Sequence, residues 1–240
     1  MILHLVNPNG TASMTDRAAA AAKAVISPGT TLLACNPRGT PASIEGYADE
    51  AMAVPALLRA IMSAEAQGAA AHVIACFDDP GLDAAREVAR GPVIGICQAA
   101  VQVAMTIAAR FSVVTTLPRS VPIIEDLLQS YGATHRCRSV RAADMPVLDL
   151  EEGGTALIEA QILAARDEDR VDAVILGCAG MADLAADLRA RCGIPVIDGV
   201  TAAVKFAEAM VGGGFATSKC GAYALPRAKA GSVLEADPGG

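Results

Sequence analysis

Two segments of the chain, 102 positions apart at their cysteines (178 − 76), read as copies of one another. The first is VIACFDDPGLDAAREVARGPVIGICQAAVQVA, residues 73–104; the second is ILGCAGMADLAADLRARCGIPVIDGVTAAVKFA, residues 175–207. Cys76 precedes Pro92 by 16 positions and Cys178 precedes Pro195 by 17. From those prolines the copies run without a gap: P-V-I, four free positions, A-A-V, two more, then Ala. Each copy reads as strand, cysteine, turn, helix, strand, helix. A repeat of that kind restricts the chain to two structurally similar lobes.

The rest of the chain alternates in the same way. Strands are predicted at 2–6, 31–35, 72–76, 92–96, 111–115, 172–178 and 194–198. Helices are predicted from Ser13, over 47–67 with a kink at Pro55, from Pro80 with Asp79 as its cap, and over 98–110, 119–131, 154–167, 181–191 and 200–212. Ser13 with Asp16 resembles a capping box. Residues 134–148 are ambiguous, and the last ten or so residues read as disordered. Alternating β and α units predict an α/β fold: two similar Rossmann-like lobes with parallel sheets, related by a pseudo-two-fold axis, with the active site in the cleft between them. The repeat assigns residues 1–97 plus 208–240 to the first lobe and 98–207 to the second.

Composition narrows the function. Of 240 residues, three are Tyr, four are Phe and none is Trp, so the core must come from Ala, Val, Ile and Leu. Such a chain has little with which to stack bases. The net charge of −7, with no basic cluster, argues against nucleic acid or an anionic membrane surface. The N-terminal apolar stretch is too short for a signal peptide, and no 18-residue apolar run suggests a membrane span. Seven scattered cysteines, an odd number, favour reduced thiols in the cytoplasm. GGG at 212–214 lacks the Lys-Ser/Thr of a phosphate loop, and no G-x-G-x-x-G supports a dinucleotide.

Ligands of parallel α/β sheets bind beyond the carboxyl ends of the strands, where Cys76 and Cys178 both stand. In two lobes facing one cleft, the two thiols would confront each other across a ligand. A lone strand cysteine is ordinarily a small core hydrophobe, which is the reading for Cys35, Cys97, Cys137, Cys192 and Cys220. Zinc is disfavoured, since there is no C-x-x-C and His4, His72 and His135 lack ligand spacing; these read as surface or strand residues. A disulfide between Cys76 and Cys178 is disfavoured by a reducing compartment. An acid/base pair fits: one thiolate takes a proton from one face of a carbon acid and one thiol returns a proton to the other, inverting the centre. The helix after each cysteine would lower its thiol pKa, and the same amides would stabilise an enolate.

The chain resembles the aspartate/glutamate/hydantoin racemase superfamily, in its hydantoin and allantoin racemase branch. The resemblance is carried by NPNGTASMT (7–15), SIEGYADEAMAVPALLRAI (43–61), ACFDDPGLDAARE (75–87), VVTTLPRSVP (113–122), LGCAGM (176–181), IPVIDGVTAAVKFAE (194–208) and TSKCGAYALP (217–226). It implies a homo-oligomeric racemase that needs no cofactor and no metal, with Cys76 and Cys178 as the two acid/base residues. The substrate-binding residues it implies are Asn9, Gly39, Thr40, Phe77, Asp78, Thr115, Thr116, Ala179 and Gly180. One departure is Gly10, where many relatives carry Thr or Ser. The substrate expected is a 5-substituted hydantoin, whose C5 proton is acidified by the neighbouring carbonyl. Alternatives are an allantoin racemase, an aspartate or glutamate racemase, and a two-lobed ligand-binding protein without chemistry.

Overall fold

The computed structural model describes residues 1–152 and 154–229. The last ten or so residues, expected to be disordered, lie outside the described residues. Among the described residues eight strands and eight α-helices alternate. The first half runs β1 (Ile2–Val6), α1 (Ala12–Val25), β2 (Thr31–Cys35), α2 (Tyr47–Ala66), β3 (Ala69–Ile74), α3 (Leu82–Val88), β4 (Val93–Gly95) and α4 (Ile96–Ile107). The second repeats the order as β5 (Phe111–Thr115), α5 (Val121–Ser130), β6 (Cys137–Ala142), α6 (Thr155–Ala164), β7 (Ala173–Leu176), α7 (Ala185–Cys192), β8 (Val196–Asp198) and α8 (Gly199–Gly212).

The strands form two four-stranded sheets, in the orders β2-β1-β3-β4 and β6-β5-β7-β8. These orders superimpose when each strand of the first half is matched to its counterpart in the second. The pairs β1–β2, β1–β3, β5–β6, β5–β7 and β7–β8 are parallel. The inner strands of the second sheet are buried along their whole length, as parallel strands covered on both faces must be. Alanine supplies much of the helix packing: α1 buries Ala18, Ala19, Ala21 and Ala22. Leu57 and Ile61 of α2 meet Val6 and Ile74 in one core. Ile158 and Ile162 of α6 meet Val114 and Leu176 in another.

The chain divides into two compact units. Unit 1 takes Met1–Ile74, Pro80–Ile94 and the chain from Val204; unit 2 takes Ala75–Asp79 and Gly95–Ala203. No helix among the described residues is long and apolar enough to cross a membrane.

Several local expectations are corrected. The first helix starts at Ala12 after Thr11, whose hydroxyl bonds the Ala42 carbonyl (2.7 Å), so Ser13 caps nothing. Helix α3 starts at Leu82, behind a left-handed Gly81, and not at Pro80. Helix α2 runs through Pro55, as the reading of 47–67 as one helix expected. The ambiguous 134–148 region contains β6. His4 and His72 are strand residues, as read, and both are buried.

Candidate active site

Both cysteines of the repeat emerge two residues after a central strand, Cys76 beyond β3 and Cys178 beyond β7. Each is partly exposed between buried neighbours on both sides. Both belong to unit 2. No disulfide engages any of the seven cysteines.

The Cys76 loop is set by Asp79. The Asp79 backbone N–H donates to the Cys76 carbonyl (3.1 Å), and Asp79 adopts a left-handed conformation (φ 45°) unusual for a residue with a side chain. Its carboxylate, in a residue only 5% exposed, reaches the start of α4. Oδ1 accepts the Cys97 N–H (3.1 Å), while Oδ2 accepts the Gln98 N–H (2.9 Å) and the Tyr131 hydroxyl (2.7 Å). A carboxylate is well placed there, because the first N–H groups of a helix lack intrahelical partners and carry positive charge. Asp79 therefore caps α4, where the sequence suggests that it caps the next helix. Phe77 and Asp78 are buried beside it. Cys97 lies at the same helix end. Burial first, then the negative charges of Asp79 and Asp78, push its thiol well up, which keeps it protonated.

The Cys178 loop is built differently. Cys178 is the N-cap of a 3₁₀ turn, Ala179–Leu184, that leads into α7, and its carbonyl accepts the Met181 N–H (3.2 Å). Ala179 and Gly180 are buried in that turn. The residue before the cysteine is held on both sides: Gly177 N–H donates to the Val114 carbonyl (2.7 Å), and Thr115 Oγ1 donates to the Gly177 carbonyl (3.1 Å). Thr115 thus spends its hydroxyl on the loop. Thr116, also buried, accepts the Met145 N–H at its carbonyl (3.1 Å). No α-helix starts directly at either cysteine: at Cys178 the six-residue 3₁₀ turn, 179–184, precedes α7. At Cys76 five residues, 77–81, separate the cysteine from α3.

Asn9, Gly39 and Thr40 lie in unit 1. Asn9 is buried, and its Oδ1 accepts the Asn7 side-chain N–H (2.9 Å) and the Thr11 backbone N–H (2.9 Å). It is therefore an organiser of the β1–α1 turn. Gly39 is exposed at φ 76°, a conformation that glycine adopts freely, and Thr40 Oγ1 bonds the Pro37 carbonyl (3.1 Å). Among the cysteines read as core, Cys97 and Cys192 are fully buried. Cys220, read as core, is instead exposed and contacts the Ser218 hydroxyl, in the segment after α8. Among the described residues no group of three or more His, Cys, Asp or Glu could hold a metal ion. The residues that sequence reasoning missed as parts of this site are Tyr131 and Gly95, which act on Asp79 through space.

Fold and site together define a duplicated α/β protein with a partly exposed cysteine at the end of the matching strand in each copy. Residues 3–207 match the family model for Asp/Glu/Hydantoin racemase, and the chain belongs to that family. It is 62% identical to a hydantoin racemase of Rhizobium meliloti over 233 residues, 96% of this chain and 97% of that one. It is 45% identical to a hydantoin racemase of a Pseudomonas species, covering 95% and 93%. Among solved structures, an allantoin racemase from Klebsiella pneumoniae shares 48% identity at a TM-score of 0.95, covering 97% of this chain and 96% of that one.

Proposed function

We propose that this chain is a racemase of 5-substituted hydantoins, and that Cys76 and Cys178 are its acid/base pair. The observation that carries the substrate is the 62% identity to a hydantoin racemase along nearly the whole of both chains. The likeness to an allantoin racemase, at 48% identity, supports allantoin as the second candidate, itself a hydantoin with a polar C5 substituent.

The chemistry follows from two thiols in matching places. One cysteine, as thiolate, takes the C5 proton; the C5–H bond breaks and its electron pair passes into the ring carbonyl as an enolate. The other, as thiol, delivers its proton to the opposite face of C5. The ring returns inverted, and the two cysteines have exchanged protonation states. The reverse turnover starts from that exchanged state, so each cysteine is the base for one enantiomer. The amides of the turn that begins at Cys178 are the groups we assign to the developing oxyanion. Phe77, buried next to Cys76, is a wall of the C5 side-chain pocket in this reading. A cytoplasmic location and a homo-oligomeric assembly belong to the same proposal.

The test follows the circular dichroism of one pure enantiomer of 5-methylhydantoin, and of allantoin, with enzyme. Enzyme-dependent decay to zero, faster for the methylhydantoin, is expected. Cys76→Ser and Cys178→Ser should each lower kcat/KM by about 10²–10⁴-fold, the usual contribution of a positioned proton-transfer group. Decay of neither substrate, or full activity in both serine variants, would overturn the assignment.

A further inference from the structure

The loop after β3 and the loop after β7 hold their cysteines by different means, and the difference centres on one carboxylate. Aligned on the cysteines, Asp79 corresponds to Met181. Aligned on the P-V-I motif, Gly95 corresponds to Asp198. In the second copy the helix-capping acid is Asp198 itself, at the end of β8: its Oδ1 accepts the Thr201 N–H (2.7 Å), and its carboxylate also takes the Thr201 hydroxyl. Both bonds stay within the start of α8 and reach no residue of the cysteine loop. In the first copy the acid has moved to the cysteine loop, and the helix end has lost its own.

The exchange is reciprocal. A Cβ on Gly95 would fall 2.3 Å from Asp79 Cγ and 2.4 Å from each carboxylate oxygen. Only glycine at 95 lets the Asp79 carboxylate lie against the start of α4. The carboxylate then meets two backbone N–H groups and the Tyr131 hydroxyl, while the same residue's N–H holds the Cys76 carbonyl. A left-handed backbone at a residue with a side chain carries a strain cost, which persists where the surroundings over-determine it. Here the surroundings are α4, the Tyr131 hydroxyl just beyond α5, and the side chain that Gly95 lacks.

We propose that Asp79 is the positioning residue for Cys76, locking the Cys76–Asp79 turn onto the α4 N-terminus and Tyr131, with Gly95 as the space that admits it. The Cys178 turn is held instead through Gly177, by Val114 and Thr115. The proposal rests on the reading of Cys76 and Cys178 as the acid/base pair, and it assigns Asp79 no contact with substrate.

The experiment compares Asp79→Asn, Gly95→Ala and Tyr131→Phe with the parent enzyme. Two ratios are read. The first is the rate of iodoacetamide alkylation at Cys76 over that at Cys178, resolved by peptide mass spectrometry. The second is the initial rate of C5 deuterium wash-in from D₂O for one enantiomer of 5-methylhydantoin over the other. A purely structural loss moves both members of each ratio together. A lock on Cys76 alone changes both ratios by about tenfold in Asp79→Asn, a size typical of a displaced catalytic group. Gly95→Ala, which keeps every charge but expels the carboxylate, should reproduce that change. Tyr131→Phe removes a single donor and should move the ratios the same way by less, in a protein with its far-UV circular dichroism and urea midpoint unchanged. Unchanged ratios in Asp79→Asn and Gly95→Ala, or equal changes at both cysteines, would overturn the proposal. If the parent enzyme exchanges no C5 proton while the alkylation ratio still responds, the racemase reading fails and the lock stands.

Discussion

Each sheet buries a polar cluster near the end of a crossover helix, and the two clusters are made of opposite materials. Counting back from the cysteines, Val6 with Ile74 matches Val114 with Leu176, so His4 corresponds to Ser112 and Cys35 to Arg141. In the first sheet His4 Nδ1 faces His72 Nδ1 (3.0 Å), His4 Nε2 faces Cys35 Sγ (3.2 Å), and His72 Nε2 faces Glu65 Oε1 (3.4 Å). Glu65 also accepts the N–H groups of Arg90 (2.6 Å) and Gly91 (2.9 Å), so it acts as the acceptor end. The neutral chain that satisfies every ring nitrogen then runs Cys35 S–H to His4, His4 N–H to His72, and His72 N–H to Glu65. In the second sheet Asp169, at the end of the α6 crossover, accepts Arg141 Nε (2.8 Å) and Nη2 (2.7 Å), Ser112 Oγ (2.9 Å) and the Ser139 hydroxyl. One lobe solved the same buried position with neutral imidazoles, the other with an ion pair. A carboxylate at the end of the crossover helix is what the two solutions share.

The largest expected consequence is in acid. Burial, and then the neighbouring His72, lower the pKa of His4 from 6.5 to about 3. Burial also lowers that of His72, against the opposing pull of Glu65. An unfolded histidine takes up a proton below about pH 6.5 while native His4 does not, so stability falls as the pH drops through that window. From His4 alone the loss is of order 3 kcal/mol at pH 4. The pKa of Asp169 is lowered too, but in a carboxylate that favours the charged form. The Arg141 guanidinium, together with the Ser139 and Ser112 hydroxyls, holds it at about 2, so its contribution is complete above about pH 4 and is lost only towards pH 2. Hydrogen exchange should show amides of β1 and β3 losing protection between about pH 6.5 and 4 while those of β5 and β7 keep theirs. Simultaneous loss in both sheets would show that the units unfold together and would remove the distinction.

Removing the acids should separate the clusters more gently. Asp169→Asn leaves Arg141 beside an amide in a site where the two side chains are 14% and 20% exposed, and should cost about 2 kcal/mol. Glu65→Gln faces a neutral ring and keeps an acceptor oxygen, and should cost about 1 kcal/mol. Urea midpoints at neutral pH measure both. An equal or reversed cost would mean that the imidazole chain carries more charge than its burial allows.

How far these copies can be read in the sequence depends on what each position touches. The stretch from each cysteine to the A-A-V that follows is visible because those residues fill matching apolar sites, and apolar sites of one shape select similar residues. The β1–β2 and β5–β6 halves of the repeat are invisible: His4 against Ser112 and Cys35 against Arg141 share no residue type, only a register. Strand β6 is ambiguous in sequence for a related reason. CRSVRA lies at a sheet edge, partly exposed, and mixes charge with apolar residues. The two cysteines can be placed at strand ends because strand, cysteine and turn are contiguous. Asp79 cannot be placed, because its partners lie 18, 19 and 52 positions away and nothing local announces them. A short polar residue before a proline looks like the cap of the next helix; here tertiary contact chose a different helix.

The smallest difference between the copies sits one residue before each cysteine, where Ala75 stands against Gly177. In the second copy a Cβ at 177 would approach Thr115 Cβ to 2.9 Å and the Val114 carbonyl to 3.1 Å. Thr115 cannot turn away, since its hydroxyl is bonded to the Gly177 carbonyl. The counterpart of Thr115 in the first copy is Asn7, whose amide instead points into its own turn, donating to Asn9 Oδ1 (2.9 Å) and Thr15 Oγ1 (3.0 Å). That leaves room for the methyl group of Ala75, which is buried. Gly177→Ala should therefore cost about 1 kcal/mol by overpacking, set against the few tenths that alanine gains in the unfolded chain. Because β7 ends at Leu176, the strain should be relieved in the Cys178 turn, and kcat for racemisation should fall while KM changes little. A stabilised variant of undiminished kcat would mean that Thr115 yields, and that the two strand ends are interchangeable after all.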